Sequence, residues 1–322
     1  MAKKGGVVRL LARRRAEAEE IERLRENRRF VPGVELPKGV SVTDSPAEAM
    51  DGADIVVLAV PSRSIRTNLA AVSAHVPDGA TFVSATKGLE ISSGKRMTEV
   101  IAEEIGTGTD GQICALSGPN LAAEVISGLP STSVVAGPHE AASSVQTALS
   151  SQSFRVYTNS DIVGVELGGA LKNIVAIGAG VCDGLGLGDN SKAAFVTRGL
   201  AETARLGIAA GADPLTFAGL AGMGDMMATC YSTLSRNRHV GEELARGRTL
   251  EEIRSGMRNV AEGVDTTVAA VRLADRLSVD MPIARSIHAV MFEGISLDDA
   301  ISDLLGRRPA PEWSGLCREG QP

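Results

Sequence analysis

Cysteine and histidine are scarce in this chain, and those present are scattered. Cys114, Cys182, Cys230 and Cys317 make no paired spacing, and His75, His139, His239 and His288 stand equally far apart. A disulfide framework and a zinc pattern are therefore excluded, and buried free thiols with no bound metal are expected. No apolar run reaches the roughly 18 residues of a spanning helix, and the opening Met-Ala-Lys-Lys-Gly-Gly lacks the apolar stretch of a secretion signal. The expectation is a cytoplasmic protein with no membrane span. Positive charge is also in deficit: a net charge of -6 argues against nucleic acid or an anionic membrane surface as the main partner. Ten of the first 29 residues are Lys or Arg, yet Glu17, Glu19, Glu20, Glu22 and Glu26 are interleaved, which reads as a solvated helix with Glu19 facing Arg23. What remains is ordinary globular composition, 43% hydrophobic and 22% charged, in 322 residues that suffice for two domains.

The first half alternates β-rich runs with helical stretches, the pattern of a parallel sheet covered by helices. Strands are predicted at Val7 to Ala12, Ala53 to Pro61, Thr81 to Thr86, Gln112 to Leu116, Ser133 to Ala136 and Phe154 to Tyr157. Predicted helices between them run over Arg15 to Glu26, Ser62 to Val76, Lys95 to Ile105, Asn120 to Ser127 and His139 to Ser150. Ligands of open α/β sheets sit beyond the carboxyl ends of the strands. Three such ends stand out: Ala-Val-Pro-Ser (59–62), Ala-Thr-Lys-Gly (85–88) and Ser-Gly-Pro-Asn (117–120). After about Asp161 the strand pattern stops. Asp161 caps a long apolar helix through Cys182, Lys192 to Ala210 forms another, and Asp213-Pro214 opens the next. Leu250 to Met257, Val264 to Leu277, Ile283 to Phe292 and Leu297 to Leu305 complete an all-helical unit. The predicted division is 1–160 for a Rossmann-like domain, 161–308 for a helical substrate domain, and 309–322 for a loose tail.

Lys172 lies midway along the apolar helix, where a charge is costly unless compensated. Gly168 and Gly169 precede it by four and three residues, and Ala176 and Ala179 follow, so its helix face is stripped of bulk. Either a packed neighbour or a substrate can come close there, the latter meeting the ammonium and the Asn173 amide. Protonated, such a lysine can donate to a carbonyl oxygen. Lys87, at a strand end, is either a second active cation or a surface lysine. Residues 222–238 place Asp225 between glycines, followed ten residues on by Ser235, Arg236 and Asn237. The guanidinium suits phosphate and the carboxylate suits a substrate hydroxyl, although the same run also reads as an exposed polar loop. Gly184 to Asn190 reads as a glycine-spaced turn, and Glu262-Gly263 as a cap for the helix from Val264. Arg13, Arg14 and Arg15 stand where the first strand ends, the place of the adenosine ribose in a dinucleotide fold, and favour a 2′-phosphate there.

Together these motifs resemble one family, the bacterial-type NAD(P)-dependent glycerol-3-phosphate dehydrogenases. The matching stretches include Arg-Glu-Asn-Arg-Arg-Phe-Val-Pro-Gly-Val (25–34), Ser-Ala-Thr-Lys-Gly-Leu-Glu, Leu-Ser-Gly-Pro-Asn, Val-Glu-Leu-Gly-Gly-Ala-Leu-Lys-Asn, Leu-Gly-Asp-Asn, Gly-Met-Gly-Asp, Ser-Arg-Asn-Arg and Ala-Glu-Gly. The resemblance implies reversible reduction of dihydroxyacetone phosphate to sn-glycerol 3-phosphate with NADH or NADPH, feeding glycerophospholipid synthesis. It implies Lys172 as the catalytic lysine and Lys87 as the other active-site lysine. Substrate contacts would come from Gly118, Asn120, Asn173, Asp225, Thr229, Ser235, Arg236 and Asn237. Arg13, Arg14, Lys87, Ala122, Arg236, Val260 and Glu262 would hold the cofactor. Asn120 stands where the family has a small hydroxyl residue. A further departure is that the family opens with a strand, a Gly-x-Gly-x-x-Gly turn and a helix, and Met1 here matches the end of that helix. Two explanations are open: the true start lies upstream of Met1, or the chain is a cofactor-impaired paralogue that binds a phosphometabolite. Another β-hydroxyacid-type dehydrogenase would share the two-domain plan but lack the phosphate preference. The oligomeric state is left open, a homodimer included.

Overall fold

A parallel strand buried on both faces needs helices above and below it, and the first half of the chain is built on that demand. The computed structural model describes residues 1–106, 112–257 and 261–312. In chain order it contains β1 (Val8–Leu11), α1 (Arg15–Leu24), β2 (Val40–Thr43), α2 (Pro46–Met50), β3 (Ile55–Leu58), α3 (Ile65–Val72), β4 (Thr81–Ser84), α4 (Met97–Ile105), β5 (Ile113–Ser117), α5 (Ala122–Ile126), β6 (Ser131–Ala136), α6 (His139–Leu149) and β7 (Phe154–Asn159). All four residues of β4 are buried. Phe82 joins Leu69, Val72, Val100 and Ile101 on one side of the sheet, while Val83, its neighbour, joins Val145 and Ala142 of α6 on the other. That is the period-two alternation of a strand with helices on both faces.

The expected single parallel sheet is corrected in three respects. The strands form two sheets, β1–β2 and β3–β4–β5–β6–β7. β2 was not foreseen; its four residues, Val-Ser-Val-Thr, pair in parallel with β1. β6 runs antiparallel to β5. Residues 118–130, with the five-residue α5 among them, connect the two strands, and β6 returns in the opposite direction.

The second half consists of α7 (Ile162–Gly184), α8 (Gly188–Ala209), α9 (Asp225–Tyr231), α10 (Arg236–Ala245), α11 (Leu250–Gly256), α12 (Glu262–Arg276), α13 (Pro282–Phe292) and α14 (Leu297–Gly306), with a 3-10 turn at Pro214–Ala218 and a π-helical turn at Leu220–Gly224. Asp161 caps α7 as expected, accepting from the Gly164 amide at 2.9 Å. By length and composition α7, which Glu166 and Lys172 interrupt, passes as a helix that could cross a membrane, but 89% of its apolar window is buried inside the protein, as suits a core helix. Residues 188–190 belong to the first turn of α8 rather than to a loop, Asp213-Pro214 opens a 3-10 turn rather than an α-helix, and Glu262 is the first residue of α12. At the amino end, α1 is solvated, with Arg15 paired to Glu19 at 2.7 Å. Cys114, Cys182 and Cys230 are buried free thiols. The tail expectation applies mostly to 313–322, which lie outside the described residues.

Helix α7 is the axis around which the other helices pack, and its closest neighbour is α10. A Cβ on Gly180 would lie 1.9 Å from the Arg238 carbonyl oxygen, and one on Gly241 would lie 1.8 Å from that of Ile177. Backbone meets backbone there, with no side chain able to move aside. Gly241→Ala is expected to lower the unfolding free energy by about 3 kcal/mol, measured by urea denaturation; a variant as stable as the parent would contradict this packing.

Candidate active site

Three charged residues from different elements converge in the interior. Lys172 of α7 is 5% exposed and Asp225, the first residue of α9, is 2% exposed. The Lys172 ammonium donates to Asp225 Oδ1 and, at 2.7 Å, to Thr229 Oγ1. Lys87, just beyond β4, donates to Asp225 Oδ2 at 2.8 Å, to Asn120 Oδ1 at 2.7 Å and to the Gly118 carbonyl at 3.0 Å. Ser117 at the end of β5 also donates to Asp225 Oδ2, at 3.3 Å.

Local sequence explains the convergence. A Cβ on Gly169 would sit 2.3 Å from Ser117 Oγ, and one on Gly168 2.7 Å from the Ala221 carbonyl oxygen. The bare face of α7 thus admits the end of β5 and the π-helical turn, so packing neighbours occupy the space around the glycines. That turn leads into α9 and delivers Asp225 to Lys172; such turns recur at functional sites. Residues 222–238 are accordingly a π turn, a helix and the start of α10, which corrects the exposed-loop alternative.

Two ammonium groups face one carboxylate, and burial sets their balance. Burial drives the Lys172 pKa down to about 8, with the Lys87 charge adding to the fall and Asp225 opposing it. Burial would raise the Asp225 carboxyl, but Lys172 and Lys87 outweigh it and hold the group below its ordinary range. The cluster keeps one formal positive charge over, which favours an anionic or polarised oxygen beside it.

Around the triad runs a chain of amides. Asn173 donates to the Lys87 carbonyl at 3.3 Å and accepts from Asn237 at 2.8 Å, and Asn237 accepts from the Gly263 amide at 2.9 Å. Asn237 is therefore committed to tying α7, α10 and α12 together. Ser235 is buried as the N-cap of α10, accepting from the Arg238 amide at 3.2 Å. Arg236, the next residue, is exposed. Asn120 also donates to Ser133 at 2.9 Å.

The cofactor candidates divide. Glu262 reaches across to the end of β3, accepting from Ser62 Oγ at 2.5 Å and from the Ser62 amide at 3.3 Å. Burial raises its carboxyl, while Ser62 and nearby Arg236 pull it back. Gly88 makes this approach feasible, since a Cβ there would lie 2.8 Å from Ser62. Arg13, Arg14 and Ala122 are exposed and lie outside the triad, Arg14 being the N-cap of α1. Val260 lies outside the described residues. Sequence reasoning missed Ser62 and Ser117 as individual residues, although both sit in the strand ends it singled out.

Family models cover both halves of the chain: residues 1–143 match the N-terminus, and 161–302 the C-terminus, of NAD-dependent glycerol-3-phosphate dehydrogenase. A glycerol-3-phosphate dehydrogenase [NAD(P)+] of Prosthecochloris aestuarii is 47% identical over 97% of this chain and 94% of its own length. One from Parafrankia sp. is 49% identical over the same shares. Among solved structures, the glycerol-3-phosphate dehydrogenase of Coxiella burnetii superposes with a TM-score of 0.89 at 32% identity, over 95% of this chain and 93% of that one.

Proposed function

Because the chain belongs to the NAD-dependent glycerol-3-phosphate dehydrogenase family, we propose that it interconverts dihydroxyacetone phosphate and sn-glycerol 3-phosphate with NADH or NADPH, Lys172 being the proton donor. The observation that carries this reading is the buried Lys172–Asp225–Lys87 cluster, with a lysine pKa brought down to about 8. An acid of that strength is protonated at neutral pH and yields its proton readily as a carbonyl oxygen gains negative charge. Lys87 adds positive charge beside that oxygen, and Asp225 orients both ammonium groups. Arg236, exposed at the first position of α10, is assigned to the substrate phosphate, where its planar fork and the helix N-terminus act together.

When bound, the nicotinamide supplies the hydride. The residues here suit the ends of such a cofactor. Exposed Arg13 and Arg14 stand beyond β1 as a 2′-phosphate requires, which favours NADPH, while Ser62, Lys87 and Glu262 gather at the ends of β3 and β4. We place the domain division between β7 and α7, and the enzyme in the cytoplasm.

Substrate selectivity tests the proposal. With NADPH, dihydroxyacetone phosphate should be reduced with a kcat/KM about 10²- to 10⁴-fold above that of dihydroxyacetone, the effect of one or two charge-assisted contacts. Equal rates would remove the phosphate role of Arg236, and preference for a 2-hydroxyacid or its keto form would reassign the substrate class.

A further inference from the structure

On the far side of α7 from Lys172, the helical half carries a partly open cavity of about 1390 Å³. Val181 lies nine residues after Lys172, half a turn round the helix, and lines this space with Ile177. Phe195 of α8, Ile287 and Val290 of α13 and Leu304 of α14 complete an apolar wall. The wall of this space is predominantly apolar, which suits an apolar chain better than a compact polar metabolite.

Guanidinium groups line the same cavity: Arg198, Arg205, Arg307 and Arg308. Against these four stand the carboxyl groups of Glu202, Asp280 and Glu312, so the guanidinium groups exceed the lining carboxyls by one. Arg198 donates to the main-chain carbonyl of Glu312 at 2.9 Å, and Arg205 to that of Asp280 at 2.6 Å. Arg307 is paired with the Asp280 carboxylate at 2.5 Å. The Nε of Arg205 is buried with no hydrogen-bond partner among the described residues, a donor whose desolvation is uncompensated. Glu202 neutralises it only in part. Burial pushes that carboxyl up to about 7, and its oxygens accept from the amides of Ile283 at 2.6 Å and Ala284 at 3.3 Å.

We propose that this cavity binds a single-chain amphiphile with an anionic head, its apolar tail between α7, α8 and α13 and its head on Arg205 and Arg198. The site is separate from the Lys172 cluster, so it is tested without reference to turnover. Hexadecanoate, titrated calorimetrically into the full chain below its micelle concentration, should bind saturably at one site per chain. Hexanoate and hexadecyltrimethylammonium should bind at least about tenfold more weakly, since one lacks the tail and the other reverses the charge. Arg205→Gln should cost about tenfold or more in affinity, and Val290→Trp, which narrows the apolar part of the cavity, should weaken binding as well. Thermal melts check that both variants fold, and Arg198→Gln serves as a second head-group variant. Hexadecyl phosphate in parallel distinguishes a phosphate head from a carboxylate, and tighter binding of either supports the site. Absence of saturable binding, equal affinity for the cationic amphiphile, or unchanged affinity in both arginine variants would overturn the proposal. So would binding seen only after residues 313–322 are removed, or only on dissociation of a dimer, which would assign the space to the chain's own end or to a second copy.

Discussion

Replacing Lys172 by alanine is expected to lower kcat about 10³-fold or more while the protein still folds. General acid catalysis by a positioned side chain contributes about 10²- to 10⁴-fold, and Lys172 also carries charge beside the reacting oxygen. The fold should persist because the rest of the cluster keeps its partners. Asp225 retains Lys87 at 2.8 Å and Ser117 at 3.3 Å, and the Thr229 hydroxyl still donates to the Asp225 main-chain carbonyl at 2.7 Å. Lys172→Arg should not restore turnover, since a guanidinium does not release its proton near neutral pH and is too broad for the space between Asp225 and Thr229. Steady-state kinetics and a thermal melt on the same preparations check both halves of this expectation. Retained activity in Lys172→Ala would remove the residue from its assigned role.

Asp225→Ala should have the largest effect on stability. It deletes the carboxylate that both buried ammonium groups share, and breaking a buried pair by removing one partner costs about 3–5 kcal/mol. Lys172 would then face only Lys87 and the Thr229 hydroxyl, and with the opposing Asp225 charge gone its pKa falls further. Neutralising one of the stranded charges should recover part of the loss, so Lys87→Met combined with Asp225→Ala is expected to be more stable than Asp225→Ala alone. Urea denaturation of the parent, the two single variants and the double variant measures this coupling. An Asp225→Ala protein as stable as its parent would mean that the lysines draw their stability from water.

Several of these features are legible in the amino-acid sequence itself. The strand ends at 59–62, 85–88 and 117–120 come from runs of apolar residues halted by Pro or Gly, and all three reach the site. Lys172 declares itself as a charge in an apolar helix with glycines at the preceding turn. What those glycines admit does not follow from their spacing: the neighbours are Ser117 and the Ala221 backbone. β2 escapes because its Val-Ser-Val-Thr alternation, though it has a strand's period, covers only four residues with no longer apolar run beside it. The direction of β6 leaves no mark in the sequence, since a strand's composition reads the same either way. The bond between Ser62 and Glu262 joins residues 200 apart in the chain, a pairing set by tertiary packing that leaves no local signal. Asn237 and Ser235 carry structural roles that their sequence pattern does not announce: they join and cap helices.

The most direct test of Lys172 as the proton donor is the pH dependence of NADPH consumption by the full chain with dihydroxyacetone phosphate. The Lys172 pKa is depressed to about 8, so the ammonium needed for ketone reduction is present below that pH and lost above it. Reduction should therefore be steady toward neutral pH and fall as pH rises through about 8, while oxidation of glycerol 3-phosphate, which needs the free amine, should rise over the same interval. A profile flat through that range, or no NADPH consumption at any pH, would contradict the assignment of this buried cluster as the site of proton transfer.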